Sequence, residues 1–476
     1  MAFVTGGKHF GQYTYEHWFD DEYGNKGEKD MPKAGSSMKL ILKNFRIVDE
    51  ETDMDGSLVI ENGIIGELMA GQQSFSEDGA AIIMDGKSFV SSGNLPVIMP
   101  AFVDLHAHFR ESGSPEKEII HTELIPPEVS LPSEVLESAS MAAAAGGFGT
   151  VVCMANTRPP TDTIKQAAAV KSRCDTLGFI DLYPVISLTK GMEGKELSEI
   201  SCLPGKDTFP PGGFLPLMLS EDGKDLSDDS LFLAAMEEAK RIGIPVSCHC
   251  DHGGDEHSAV RRVIELGKAA GCHIHIAHVS KKDTVDLIRR EKAEAAAKAD
   301  SGFTLTCEVM PHNLCLTVED ARKLGEKSWG RVNPPLASEE DRQALISALA
   351  DGTIDVIATD HAPHRAAGKE AGAPGFSGFE TAFAAVYTEL VRGGVMNLKR
   401  LSALMSANPS RLLGFGGNRG RILPGYRADL AVIDIDAPWT VDPSKFKSRG
   451  RNSAFAGEEL FGRILMTIHK GRVVHS

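Results

Sequence analysis

The sequence predicts an α/β protein: a (β/α)8 barrel of the TIM type, with a small β domain built from both chain ends. Three observations predict it. The middle of the chain alternates short β-branched runs with helical stretches. The eight such runs span roughly 250 residues, the size of a barrel. Both ends carry short strands punctuated by Gly or Pro. The alternative, a doubly wound sheet, would show a Gly-rich dinucleotide fingerprint after a strand, and none follows any of the eight.

Taken in order, residues 1–37 read as a polar tail. Phe10, Tyr13, Tyr15, Trp18 and Phe19 are scattered among charges there, unlike the unbroken apolar run of a secretory leader. Lys39–Asn44 and Ser57–Gly63 read as strands joined by Gly turns. Ala428–Asp434 and Thr467–Val474 repeat that texture, so 38–97 and 420–476 are expected to form one composite β domain around a barrel at 98–419. The barrel strands are predicted at Val97–Leu105, Thr150–Met154, Ile180–Val185, Phe214–Leu219, Pro245–Cys248, Ile274–His278, Thr304–Val309 and Asp355–Thr359. Between them, Ser227–Gly243 offers a Ser N-cap, early acids and a terminal Gly. Ser338-Glu-Glu-Asp is a capping box ahead of Leu345, Ile346 and Leu349.

Composition narrows the function classes. The chain has 476 residues, 42% hydrophobic, enough for a substantial core. Fifty Lys and Arg face 66 Asp and Glu, a net charge of -16, and no basic run stands out. Nucleic acid is therefore excluded as an expected partner. An anionic substrate would need locally placed Arg or His, because the overall field repels it. No stretch approaches the length of a membrane-spanning helix, so no membrane association is expected. The eight cysteines show no paired metal spacing and read as reduced thiols of a cytoplasmic enzyme.

The chemistry falls at strand ends, where a barrel gathers its active site. Strand 1 ends in Asp104-Leu-His106-Ala-His108, and side chains at i and i+2 share a face. An isolated pair of this kind more often caps a strand by hydrogen bonding. This pair is joined by Glu221-Asp222 after strand 4, His249 after strand 5, His278 after strand 6 and Asp360 after strand 8. Four histidines and two carboxylates are a donor set for two borderline-soft cations. Alternation sorts the rest: Ile274, Ile276 and His278 share a face, so His278 is expected to point in and His273 and His275 out. Ile354, Val356, Ala358 and Asp360 share a face, so Asp360 points in and His361 does not. His121, His252 and His257 read as surface residues.

From Met38 onward the chain resembles the cyclic amidohydrolases and, among them, the dihydroorotases of the bacterial class with an aspartate-bridged metal pair. The carriers are Pro100-Ala-Phe-Val-Asp-Leu-His-Ala-His-Phe-Arg-Glu, Gly146-Gly-Phe-Gly-Thr-Val-Val-Cys-Met-Ala-Asn-Thr-Arg-Pro-Pro, Cys307-Glu-Val-Met-Pro-His, Arg331-Val-Asn-Pro-Pro-Leu and Ala358-Thr-Asp-His-Ala-Pro-His. The resemblance implies Zn2+, one or two per chain. His106 and His108 would bind the first zinc, His249 and His278 the second, and Asp222 would bridge them. Asp360 would bind the first zinc and shuttle the proton, while Arg110, Asn156, Asn333 and His364 would hold the substrate.

Zinc lowers the pKa of a bound water from about 15.7 to about 7, which suits hydrolysis of an unactivated amide. Arg110 can fork onto a carboxylate; its bland alternative is a pair with Glu111 or Asp104, and for Asn156 a turn. Dihydroorotate carries a carboxylate, whereas hydantoins and simple dihydropyrimidines do not. The implied activity is therefore reversible interconversion of N-carbamoyl-L-aspartate and (S)-dihydroorotate in de novo pyrimidine synthesis. Hydantoinase, allantoinase and a non-catalytic binding subunit are the alternatives, although such subunits usually lose ligands and none is missing here. Partners compatible with the resemblance are a second copy of the chain or another enzyme of the same pathway. Departures from the family pattern are Arg110-Glu-Ser-Gly, Met154-Ala-Asn-Thr, Glu221-Asp222 and an acid-rich stretch at Thr122–Pro132; none removes a ligand. Gly368–Phe376, rich in Gly and Ala, is expected to be a lid that closes over the substrate.

Overall fold

In the computed structural model, residues 39–75, 81–90, 94–111, 133–208, 213–251, 254–297 and 302–476 are described. The tail 1–37, His121, His252 and Thr122–Pro132 lie outside them.

Strands from both chain ends build one sheet. β1 (Lys39–Val48), β2 (Asp53–Glu61), β3 (Ile64–Ala70), β4 (Ala81–Asp85) and β5 (Val97–Pro100) come from the first end. The turn between β2 and β3 is Asn62-Gly63, both at positive φ (53° and 82°), the pattern that matches strand twist in a two-residue hairpin. A Cβ on Gly63 would also lie 2.6 Å from the Lys470 carbonyl oxygen, so the other chain end packs directly on this turn.

The barrel strands follow: β6 (Phe102–Ala107), β7 (Phe148–Cys153), β8 (Asp181–Pro184), β9 (Leu219–Ser220), β10 (Val246–Cys248), β11 (His273–Ile276), β12 (Thr304–Val309) and β13 (Val356–Ile357). β6, β7 and β8 are parallel neighbours, as are β9 to β13. Two parallel bridges, Ile186 to Leu219 and Ala107 to His361, join the arcs into a ring. Helices such as Leu136–Ala145, Asp229–Ile242, Glu256–Ala270 and Glu339–Asp351 alternate with the strands. Ser338 and Asp341 form the predicted capping box. Asp228, not Ser227, caps the helix Asp229–Ile242.

After the barrel come β14 (Leu430–Asp434), β15 (Trp439–Thr440), β16 (Glu459–Leu460), β17 (Arg463–His469) and β18 (Arg472–His475). The terminal sheet runs β18-β17-β14-β5-β1-β2-β3, with β4 beside β1. Its own core includes Leu42, Phe45, Ile47, Leu58, Ile98, Leu430, Val432 and Ile468.

Two expectations change. The predicted first barrel strand is two strands. β5 pairs with β1 and β14, the chain breaks at Ala101, whose N–H donates to the Asp429 carbonyl (2.9 Å), and β6 then starts the barrel. The facing assigned to the sixth barrel strand is reversed. Ile274 and Ile276 pack with Val260, Val263, Val285 and Ile288 in the layer between barrel and helices. Ile274 fills the space over Gly267 of the helix Glu256–Ala270. His273 and His275 therefore face the barrel interior. That interior is apolar on other strands, with Val103, Leu105, Val152, Val185, Val356 and Ala358. His278 still reaches the site, because alternation stops with the strand at Ile276 and His278 turns at φ 35°.

Candidate metal centre

Strand ends bring six predicted residues together. Ligand-type atoms of His106, His108 and Asp222 lie within 4.8 Å of one another, as do those of Asp222, His249 and His278, so Asp222 belongs to both groups. Asp360 Oδ1 lies 2.9 Å from His108 Nε2 and 3.6 Å from His106 Nε2. All six line a cavity of about 170 Å³ with Arg110, Asn156, Gly223, Asn333, Ala362, Pro374 and Gly375. His278, Asp360 and Arg110 all sit at positive φ (35°, 45° and 60°), a strained backbone that concentrates at functional sites.

The donor set fits metal ions. His106 donates Nδ1–H to Glu308 Oε1 (2.7 Å), which leaves the Nε2 lone pair facing Asp222 Oδ1 at 3.2 Å. Nε2 is buried and makes no hydrogen bond. A lone pair opposite a carboxylate needs a cation between them. The electrostatics repeat the demand. Burial alone would lower His106, but Asp222 and Glu308 outweigh it and hold its pKa well above the usual value, so positive charge is favoured at this nitrogen, from a proton or from a metal ion in its place. His278 is pushed down to about 3 by burial and by His249 and His106, so it is the neutral imidazole that a metal requires. Two of the four histidines have an outer hydrogen-bond partner that orients them, Glu308 for His106 and Asn156 Oδ1 for His108 Nδ1 (2.9 Å), while Asp225 Oδ1 lies 3.8 Å from His249 Nδ1.

The other predicted residues divide. Arg110 lines the cavity, and among the described residues no carboxylate lies within ion-pair distance of it. Its bland partners are engaged elsewhere: Glu111 pairs with Arg173 and caps Leu136 N–H (2.7 Å), and Asp104 accepts from Thr359 N–H (2.9 Å) and Oγ1–H (2.5 Å). Asn156 serves ligand residues, since its Nδ2 donates to Asp222 Oδ2 (2.9 Å). Asn333 Nδ2 lies 3.4 Å from His249 Nε2. His364 is not in the cavity lining; its Nε2 donates to the Pro374 carbonyl (2.7 Å), behind the cavity wall. Glu221 accepts from the Thr189 backbone N–H (3.0 Å) and hydroxyl, which leaves Asp222 as the carboxylate of that pair in the cluster. His361 is buried against Phe379 (4.1 Å between centroids) and accepts from Gly378 N–H, so it is no ligand. His257 lies on a helix face beside Arg261.

The expected lid is tied down. Ala366–Glu370 is a short helix, and the fully buried Lys369 donates from Nζ to the carbonyls of Arg331 (2.8 Å), Ala373 (3.0 Å) and Gly375 (2.9 Å). Gly375 (φ 128°) backs onto Ala362 so closely that a Cβ would lie 2.5 Å from Ala362 Cβ. The segment is a braced cavity wall.

Sequence reasoning missed the role of Glu308. It stood in a quoted motif without a task. Its signal was a carboxylate between Cys307 and Val309 on a strand, a charge that has to face the barrel interior.

The family model described as "Amidohydrolase family" matches residues 97–474. A dihydroorotase of Clostridium botulinum is 36% identical over 444 residues, covering 92% of this chain and 99% of the relative. A dihydroorotase of a Geobacillus species is 34% identical over 466 residues, with 92% and 99% covered. Among solved structures, an L-hydantoinase (dihydropyrimidinase) from Arthrobacter aurescens aligns at a TM-score of 0.72 with 24% identity, covering 91% of this chain and 95% of that one. A dihydropyrimidinase from Brevibacillus agri aligns at 0.71 with 19% identity, covering 92% and 95%. These structures share the fold.

Proposed function

The chain belongs to the amidohydrolase family and is an enzyme acting on a cyclic amide bond; on that premise we propose that it interconverts N-carbamoyl-L-aspartate and (S)-dihydroorotate with two zinc ions. The observation that carries the substrate is Arg110: a guanidinium in the lining of the cavity that holds the His and Asp cluster, with no carboxylate of its own among the described residues. The dihydroorotases most similar in sequence support the same reading.

His106, His108 and Asp360 would hold one ion, His249 and His278 the other, and Asp222 would bridge. When bound, such ions acidify a water and polarise the ring carbonyl. The chain does the rest. Arg110 binds the substrate carboxylate in a bidentate fork and fixes the ring over the cluster. Asn333 adds an amide contact at the cavity wall. Asp360 is in hydrogen-bond contact with His108. Burial would raise its carboxyl, but His108, His106 and His278 outweigh that and keep it ionised. Its carboxylate takes the proton of the attacking water and delivers it to the ring nitrogen as the C–N bond breaks. Ring closure runs the same steps backwards. The braced wall at Pro374 and Gly375 forms one side of the cavity. In this reading residues 98–419 are the catalytic domain, and 38–97 with 420–476 the composite β domain beside it.

The test is a steady-state assay of the purified protein on dihydroorotate, hydantoin and allantoin, before and after chelation. Chelator-sensitive turnover of dihydroorotate above the other two is expected. Preference for a ring without a carboxylate would overturn the substrate assignment.

A further inference from the structure

Beneath the cluster, a string of hydrogen bonds runs along the inner barrel wall away from the cavity. His106 Nδ1 meets Glu308 Oε1 at 2.7 Å, and Glu308 Oε2 meets His275 Nε2 at 3.1 Å. His275 Nδ1 meets Thr306 Oγ1 at 2.8 Å, and Thr306 Oγ1 meets His273 Nε2 at 2.9 Å. Glu308 and His275 are wholly buried, at 0% exposure each. The β11–β12 ladder sets this up. His275 pairs in register with Thr306, and residues two apart share a face, so His273, His275, Thr306 and Glu308 all turn inward.

Donor chemistry gives the string a direction. Each Glu308 oxygen faces one imidazole nitrogen at hydrogen-bond distance, so the buried carboxylate accepts at both. His106 must then donate from Nδ1, and His275 from Nε2. With Nε2–H given to Glu308, a singly protonated His275 accepts at Nδ1, and among the described residues the donor there is the Thr306 hydroxyl. That hydroxyl, having given its hydrogen to His275, accepts from His273 Nε2–H.

We propose that His275 is a positioning residue for His106. Through Glu308 it holds the His106 ring as the Nδ1–H tautomer, with Nε2 presented as the ligand atom, and Thr306 and His273 lock the tautomer of His275 in turn. This rests on the reading of His106 as a metal ligand. A buried carboxylate with a single donor would be free to rotate toward the ions or to take a proton itself. His275 prevents both by fixing the second oxygen. Partners at one remove from a ligand typically set metal affinity by about 10–100-fold.

The test uses the full chain stripped of metal, titrated with Zn2+ against a chromophoric chelator, and separately loaded with Co2+ for its visible spectrum. His275→Phe is expected to weaken Zn2+ binding by about 10–100-fold and to shift the Co2+ bands. Thr306→Val, which keeps the volume, should weaken binding less, in the same direction. His275→Gln, whose amide can still donate to Glu308, should recover most of the loss. In a Glu308→Gln background, His275→Phe should add nothing further. Wild-type affinity and spectrum in folded His275→Phe would overturn the proposal. So would an equal loss with and without Glu308, which is the behaviour of packing alone. If His275→Phe does not fold, Thr306→Val decides, and an unchanged affinity and spectrum there overturns the proposal. Failure of the wild-type chain to bind Zn2+ would instead overturn the proposed function.

Discussion

Replacing Arg110 by Met tests the substrate assignment most directly. Arg110 follows β6 and lines the cavity with its side chain half-buried. Its backbone sits at φ 60°, a strain that any non-glycine residue shares, so Met adds none. Met keeps much of the volume and removes the charged fork. A charge-assisted hydrogen bond contributes roughly 1.5–3 kcal/mol. At about 1.4 kcal/mol per decade, that corresponds to a KM for dihydroorotate raised by roughly 10- to 150-fold. A smaller fall in kcat is expected too, because a loosely held ring is badly oriented. The decisive quantity is a ratio: kcat/KM on dihydroorotate divided by kcat/KM on dihydrouracil, which has the same ring without the carboxylate. The ratio should collapse by about the same 10- to 150-fold in Arg110→Met, with metal content unchanged, since Arg110 contacts no proposed ligand residue. A ratio equal to that of the wild type would show that Arg110 does not read a carboxylate, and the choice of dihydroorotate would lose its physical basis.

Other perturbations reach different parts of the molecule. Asp360→Asn keeps the shape but removes the proton acceptor, and single-turnover measurements should show chemistry slowed by about 10²–10⁴-fold. Elemental analysis of protein purified without chelator should find up to two divalent ions per chain; less than about half an equivalent would argue against the cluster as a metal site. Lys369→Met withdraws three hydrogen bonds from the cavity wall. It should raise KM and increase amide hydrogen exchange across residues 371–376, and unchanged exchange would refute the bracing role. Asp181, at the start of β8, is buried among Arg419 (2.9 Å), Arg427 (2.6 Å) and Lys470 (2.7 Å). Burial would raise its carboxyl, but His469, Arg427 and Arg419 outweigh that and hold it far below the usual range. A depressed pKa contributes stability that is present above the unfolded value, about 3.9, and lost as pH falls below it. Asp181→Asn should therefore cost about 3–5 kcal/mol in denaturant unfolding at pH 7. That gap should narrow below about pH 4; a gap independent of pH would contradict the sign.

The residues of the candidate cluster were legible in the sequence because each stands at a strand end and several His and Asp coincide at the same end of one barrel. Facing within a strand was less legible. The apolar Ile274 and Ile276 were taken to fill the barrel, yet they face the helices, while His275 and Glu308 fill the interior beneath the His and Asp cluster. Alternation tells which residues share a face, but not which face is inside when both are buried. His278 was placed correctly although its strand was reversed, because a positive φ at a strand terminus is invisible to a period-two pattern. The Gly- and Ala-rich run after strand 8 was read as mobile. Its anchor, Lys369, reads in sequence as an exposed lysine, and only the carbonyls of Arg331, Ala373 and Gly375 converging on it make burial tolerable. Asn156 was assigned to substrate, whereas its amide is already engaged by His108 and Asp222.

Fold and substrate choice are separable here. Hydantoinase structures share the scaffold, so nothing in the barrel itself selects dihydroorotate. Selection has to come from charge at the strand ends, and the charge balance explains why one arginine suffices. The chain as a whole carries -16 and repels anions. At the site, two divalent ions would outweigh the carboxylates of Asp222 and Asp360 in the cavity and of Glu308 beneath it, and Arg110 would add to that excess. Bound metal ions are the largest local charges in such a site and invert its electrostatic sign. Under the proposed function, a ring bearing a carboxylate would supply the missing negative charge at Arg110, while a neutral ring would leave a guanidinium desolvated without a partner, which carries a cost. The same residue would then favour one substrate class and penalise the other.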